Sequence, residues 1–71
     1  VDLPGLQHGT LTTRQFEVAQ LLARGCTNKA IAEMLSMSEA TVKVHIAAIF
    51  RALGVSNRTE AVLAIQRMMQ A

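Results

Sequence analysis

The sequence predicts an all-α fold: a compact four-helix domain whose two central helices are joined by a very short turn. Three observations predict it. Apolar residues recur at intervals of three and four in four separate segments, each preceded by Ser, Thr or Asn, and two of these segments are closed by Gly. No segment alternates apolar and polar residues as a half-buried strand does. Of the 71 residues, 51% are hydrophobic but only 3% aromatic, with no Trp or Tyr, so the core must be Leu, Ile, Val, Met and Ala with two Phe. That mix favours helices.

The first helix starts at Thr12, which with Gln15 three residues on forms a capping box. Phe16, Ala19, Leu22 and Ala23, with Val18 beside them, make its apolar side, and Gly25 stops it near Arg24. Thr27 caps a second helix from about Asn28 to Leu35, with Ala30, Ile31, Met34 and Leu35 on one side. Two turns are marginal alone, so this helix depends on tertiary packing. Only Ser36-Met37-Ser38 separates it from the third helix, with Ser38 as N-cap and Glu39 in the first turn, where negative charge suits the helix dipole. The third helix runs to about Leu53, before Gly54, and turns Val42, Ile46, Ile49, Phe50 and Leu53 to the core. Ser56 or Asn57 starts a fourth, with Ala61, Ile65 and Met68 as its core stripe. Residues 1–10, with Pro4, Gly5 and Gly9 and no periodicity, are expected to be a linker from an N-terminal domain missing from this sequence, which leaves 11–71 as the folded unit.

The third helix has an unusual outer side. In place of long polar side chains it carries Ala40, Val44, Ala47 and Ala48, fringed by Lys43, His45 and Arg51. The surrounding charge is modestly basic: seven Lys+Arg against five Asp+Glu give +2 and a pI near 9.3, which permits an anionic partner without requiring one. A short helix, a tight turn and a longer helix, spanning about residues 28–47, are the layout of a helix-turn-helix. In that motif the second helix enters the major groove of double-stranded DNA, about 12 Å wide, where bulk on the entering face would block the approach. A slim outer face on the third helix is what such an approach needs. Lys43 is then the best candidate for donating to guanine N7 or O6, with a phosphate contact as its alternative, and Val44 for meeting a thymine methyl, while Asn28, Lys29 and Thr41 lie near helix ends where phosphates bind. His45 and Arg51 are candidates for further phosphate contacts.

Other classes fit less well. A helical protein-interaction or dimerisation module, with Val44 and the alanines against a partner helix, is the alternative. An enzyme is the poorest option, because the chain shows no paired acid and base, no metal-ligand cluster and no phosphate-cradling Gly loop; no cofactor and no small-molecule ligand are expected. Cys26 is single and has no metal-ligand partner at a suitable spacing, so it reads as a buried or half-buried thiol in an intracellular chain. No apolar run approaches the roughly 18 residues of a membrane span, and a cytoplasmic location is expected.

Four motifs at fixed spacing carry a resemblance that covers residues 11 to 62. They are LT.R..EV from Leu11, G.TNK.IA..L from Gly25, S..TVK.H from Ser38, and I...LGV..R.EAV from Ile49. In these the chain resembles the DNA-binding domain of LuxR-type (GerE-type) bacterial transcription regulators. The resemblance implies a four-helix domain that binds DNA as a dimer through its fourth helix and controls transcription, usually following a receiver or ligand-sensing domain, as in a response regulator of a two-component system. It implies base contacts at Lys43, Val44 and Ala47, backbone contacts at residues such as Asn28, Lys29 and Thr41, and RNA polymerase as a further partner. Leu63, away from the core stripe beside Thr59 and Arg67, is the expected contact of a weak homodimer. The chain departs from the family in having Gln15 for the usual Glu, and Ala where many members carry Lys at 52 and some carry a polar residue at 47. Fewer contacts, and weak binding by the isolated domain, are expected from this.

Overall fold

The computed structural model describes residues 11–70; the expected linker, residues 1–10, lies outside them. Four helices follow in order: α1 Thr13–Ala23, α2 Asn28–Leu35, α3 Glu39–Leu53 and α4 Arg58–Gln70. No strand is found among the described residues.

Each start is fixed by a side chain that satisfies backbone N–H groups left free at a helix N-terminus. Thr12 and Gln15 form the complete capping box: the Gln15 N–H donates to Thr12 Oγ1 and the Thr12 N–H to Gln15 Oε1, both at 3.1 Å. Thr27 Oγ1 accepts from the Ala30 N–H and Ser38 Oγ from the Thr41 N–H, again at 3.1 Å. Of the two candidates for α4, Asn57 is the cap: its Oδ1 accepts from the Glu60 N–H at 2.9 Å, while Glu60 Oε1 reaches back to the Ser56 N–H at 2.9 Å.

The ends of α1, α2 and α3 share one closure, a left-handed residue followed by an apolar one. After α1, Gly25 (φ 89°) donates to the Leu22 carbonyl and Cys26 to that of Leu21. After α2, Ser36 (φ 57°) donates to Glu33 and Met37 to Ala32; after α3, Gly54 (φ 69°) donates to Arg51 and Val55 to Phe50. This is the Schellman pattern, in which the apolar residue after the left-handed one folds back on the helix it has just left. Cys26, Met37 and Val55 are accordingly half-buried against the core. Ser36, rather than Gly, takes the left-handed position in the turn between α2 and α3.

The core gathers Val18, Ala19, Leu21, Leu22, Ile31, Ala32, Val42, Ile46, Ile49, Ala61 and Ile65 from all four helices, together with Leu11 just before the Thr12 cap. α1 lies at the centre and packs on both α3 and α4, while α2 packs chiefly on α3. Leu11 and Phe16 stand on either side of the Thr12 cap, at the positions of a hydrophobic staple; Leu11 is buried and Phe16 packs against the core. The expected stripes of α1, α3 and α4 form, with Phe16, Ala23, Phe50, Leu53 and Met68 at the edge of the core.

On α2 the stripe is rotated. Met34 is 59% exposed, and Ala32 takes the buried place beside Ile31 and Leu35. Periodicity over two turns admits either set, and the packing of α2 on α3 selects the one that includes Ala32. Leu11 and Leu21 also join the core, although neither belongs to the apolar stripe read from the sequence.

The closures give a stability test. A Cβ built at Gly54 meets nothing within 4 Å, so Gly54→Ala costs only the left-handed backbone strain, about 1 kcal/mol. Ser36→Gly relieves the same strain and gains about 0.5 kcal/mol after the extra entropy of an unfolded Gly. Urea unfolding monitored by circular dichroism resolves both changes.

Candidate nucleic-acid interface

Burial of Val42, Ile46 and Ile49 fixes the rotation of α3 and therefore what its other side presents. Val44 is 66% exposed, and Ala40, Lys43, Ala47 and Arg51 are exposed with it. Two residues of the expected outer face sit lower than the sequence suggests: Ala48 and His45 are half-buried, at the margin of the exposed face. The exposed strip is thus Ala40, Lys43, Val44 and Ala47, with Arg51 one turn beyond. Slender side chains let another molecule approach the helix backbone closely, while Lys43 extends from the same surface.

The expected phosphate contacts lie on two elements, α2 and α3. Lys29 is exposed in the first turn of α2 and Asn28 half-exposed at its start. Thr41 is exposed in the first turn of α3, with its hydroxyl 3.0 Å from Ser38 Oγ. Both helices therefore bring N-terminal turns, with the positive end of the helix dipole, to the same motif. Among the described residues, the side chains of Lys29, Lys43 and Arg51 carry no ion pair or hydrogen bond; the ion pair found there, Arg14 with Glu17 at 2.9 Å, lies on α1. Lys43 on the strip, Arg51 one turn beyond it and Lys29 on α2 are thus uncommitted.

Asn28 is held from a distance. Arg58, the first residue of α4, donates from Nη1 to Asn28 Oδ1 at 3.1 Å and from Nη2 to the Cys26 carbonyl at 2.7 Å. Arg14 plays a matching part at the other end of α2, donating from Nη2 to the Leu35 carbonyl at 3.1 Å while Nη1 holds Glu17.

A second surface lies on α4. Thr59, Leu63 and Arg67 are spaced four apart and all exposed, Leu63 at 50%. Leu63 stands between two open grooves, one of about 300 Å³ against Leu22 and Ala23 of α1 and one of about 410 Å³ against Leu53 and Val55 at the end of α3.

With this geometry in place, comparison with known proteins assigns the family: residues 9–65 match the model of bacterial regulatory proteins of the luxR family. The chain belongs to the LuxR family. Its LuxR-type helix-turn-helix domain is of the kind that binds double-stranded DNA in transcriptional regulators. The chain is similar to the transcriptional regulatory protein LiaR of Bacillus subtilis, with 45% identity over 62 residues, covering 87% of this chain and 29% of LiaR. Among solved structures it is similar to the transcription factor GerE, with a TM-score of 0.75, 42% identity, and coverage of 84% of this chain and 90% of that one. It is also similar to the response regulator ChrA of a heme-sensing two-component system, with a TM-score of 0.79, 37% identity, and coverage of 96% of this chain and 34% of that one. The chain thus spans about a third or less of LiaR and of ChrA.

The departures of this LuxR-family domain can be located. Gln15 performs the capping that the usual Glu would, as a neutral acceptor. Ala47 is exposed on the slim strip, and Ala52 is half-buried at the edge of the core. Reading the sequence missed the roles of Arg14 and Arg58. Both stand in the family motifs, but their partners are up to 32 residues away and no local pattern reveals them.

Exposure of the strip is testable without any ligand. Val44→Glu leaves the domain folded, with stability changed by no more than about 0.5 kcal/mol. Val42→Glu places a charge in the core and abolishes the cooperative melt. Thermal melts followed by circular dichroism distinguish the two.

Proposed function

We propose that this domain is a sequence-specific reader of double-stranded DNA that regulates transcription, with α3 lying in the major groove. The observation that carries the reading is the exposed, slim strip Ala40, Val44 and Ala47, with Lys43 on it, and the uncommitted cations Arg51, one turn further along α3, and Lys29 on α2. A helix about 10–12 Å thick fills a groove about 12 Å wide only if its leading side chains are short. Lys43, Val44 and Ala47 meet the bases. Asn28, Lys29, Thr41, His45 and Arg51 hold the phosphates and carry no sequence information.

The domain acts as a weak homodimer through Thr59, Leu63 and Arg67 of α4, so that two copies read two half-sites. It serves as the DNA-binding output of a longer cytoplasmic response regulator that works with RNA polymerase, a reading supported by the similarity to ChrA and LiaR. A helical protein-interaction module makes the opposite prediction about salt. Three or four phosphate contacts per subunit give a log-log slope of affinity against salt of about −3 to −4, whereas an apolar interface hardly responds.

Selection from a random DNA pool tests the reading and yields the preferred site with its half-site spacing; a pool without enrichment overturns it. On the selected site, Lys43→Ala is expected to cost about 1–3 kcal/mol and blur the preference, whereas Lys29→Ala weakens all sequences alike and reduces the salt slope by about 1. Titrations on selected and random duplexes measure both. Leu63→Arg removes cooperative binding to a two-half-site duplex while leaving binding to one half-site intact, which gel-shift titration separates.

A further inference from the structure

Arg58 is exposed, yet its guanidinium is directed at the entrance of α2 rather than at solvent. A guanidinium has only donors, so the Asn28 atom that faces it at 3.1 Å must be the carbonyl oxygen of the amide. That contact decides which way round the Asn28 amide sits: oxygen towards Arg58, NH2 turned away from it. The second bond, to the Cys26 carbonyl at 2.7 Å, ties the same planar fork to the backbone between α1 and α2, so its position and its angle are both fixed.

The polarity matters because of where Asn28 stands. It is the first residue of α2, next to Lys29. At this end of the helix the Ala30 N–H is taken by Thr27 Oγ1 and the Ile31 N–H by the Thr27 carbonyl, leaving the N–H groups of Asn28 and Lys29 without an intrahelical partner. An outward NH2 adds a donor beside them, whereas an outward oxygen would face an approaching phosphate with like partial charge. An unrestrained amide presents either.

Resting on the reading of Asn28 as a phosphate contact, we infer that Arg58 is a positioning residue for DNA backbone binding, holding the Asn28 amide so that its NH2 meets the phosphate. It acts through Asn28 and not as one more positive charge.

A double-mutant cycle tests this on the 71-residue chain. Fluorescence anisotropy with a labelled mixed-sequence duplex is measured for the unaltered chain, Asn28→Ala, Arg58→Met and the double variant, with thermal melts alongside. Asn28→Ala and Arg58→Met are each expected to weaken binding about tenfold, and the double variant no more than either alone. Arg58→Lys, which keeps the charge and loses the fork, is expected to lose most of the affinity while keeping the salt slope. It also serves in the cycle should Arg58→Met fail to fold. Equal losses from altering Arg58 with and without the Asn28 side chain, or full affinity in Arg58→Lys, overturn the inference while leaving Asn28 as a contact. If Asn28→Ala binds like the unaltered chain, the phosphate role of Asn28 is itself wrong and the positioning role falls with it.

Discussion

One-sided burial of α3 is the constraint on which the rest of the structure depends. Val42 and Ile49 are fully buried and Ile46 nearly so, and burying such a side chain contributes about 1.5–3 kcal/mol. A helix is rigid about its axis, so this burial also sets the direction of every other α3 side chain. Lys43 and Val44 are turned outward because Val42 and Ile46 are turned in. The presenting surface is therefore a by-product of core packing, and it keeps its shape without contacts of its own. Such a face can carry short side chains and uncommitted cations, which contribute little to holding the domain together.

The ends of the helices decide how that face is aimed. Three times the chain leaves a helix through a left-handed residue and then folds an apolar one back on the core: Gly25 with Cys26, Ser36 with Met37, Gly54 with Val55. The lone cysteine thus has a structural place as the apolar half of such a closure. At Ser36 the closure runs at once into the Ser38 cap of α3, so stop, turn and start occupy three residues and leave little freedom in the angle between α2 and α3. Ser36 accepts backbone strain there that Gly would avoid.

Two arginines complete the frame from outside the core. Arg14 holds the last turn of α2 from α1, and Arg58 holds its entrance from α4. An eight-residue helix is too short to persist alone, and its light packing against α1 adds little. Guanidinium forks at both ends replace solvent at carbonyls that would otherwise face water. The shortest helix is thus anchored from its two flanks, and the helix with the exposed Leu63 strip supplies one of the anchors.

The amino-acid sequence by itself determined the helices, their caps and stops, the inward stripes of α1, α3 and α4, the outward position of Lys43, Val44 and Ala47, and through its fixed motif spacings the family. These are local quantities: a cap lies within three residues of its partner, and on a helix of three turns or more a stripe has one consistent direction. Tertiary structure alone decided the rotation of α2, with Ala32 inside and Met34 outside, because two turns leave that choice to the neighbouring helix. It also decided the partial burial of His45 and Ala48 at the edge of the α3 face. It brought Arg58 to Asn28 and Cys26 across about thirty residues, where no periodicity could indicate it. The division follows from range: backbone hydrogen bonding and helical period act over a few residues, whereas the meeting of a guanidinium and a distant amide depends on how whole helices pack.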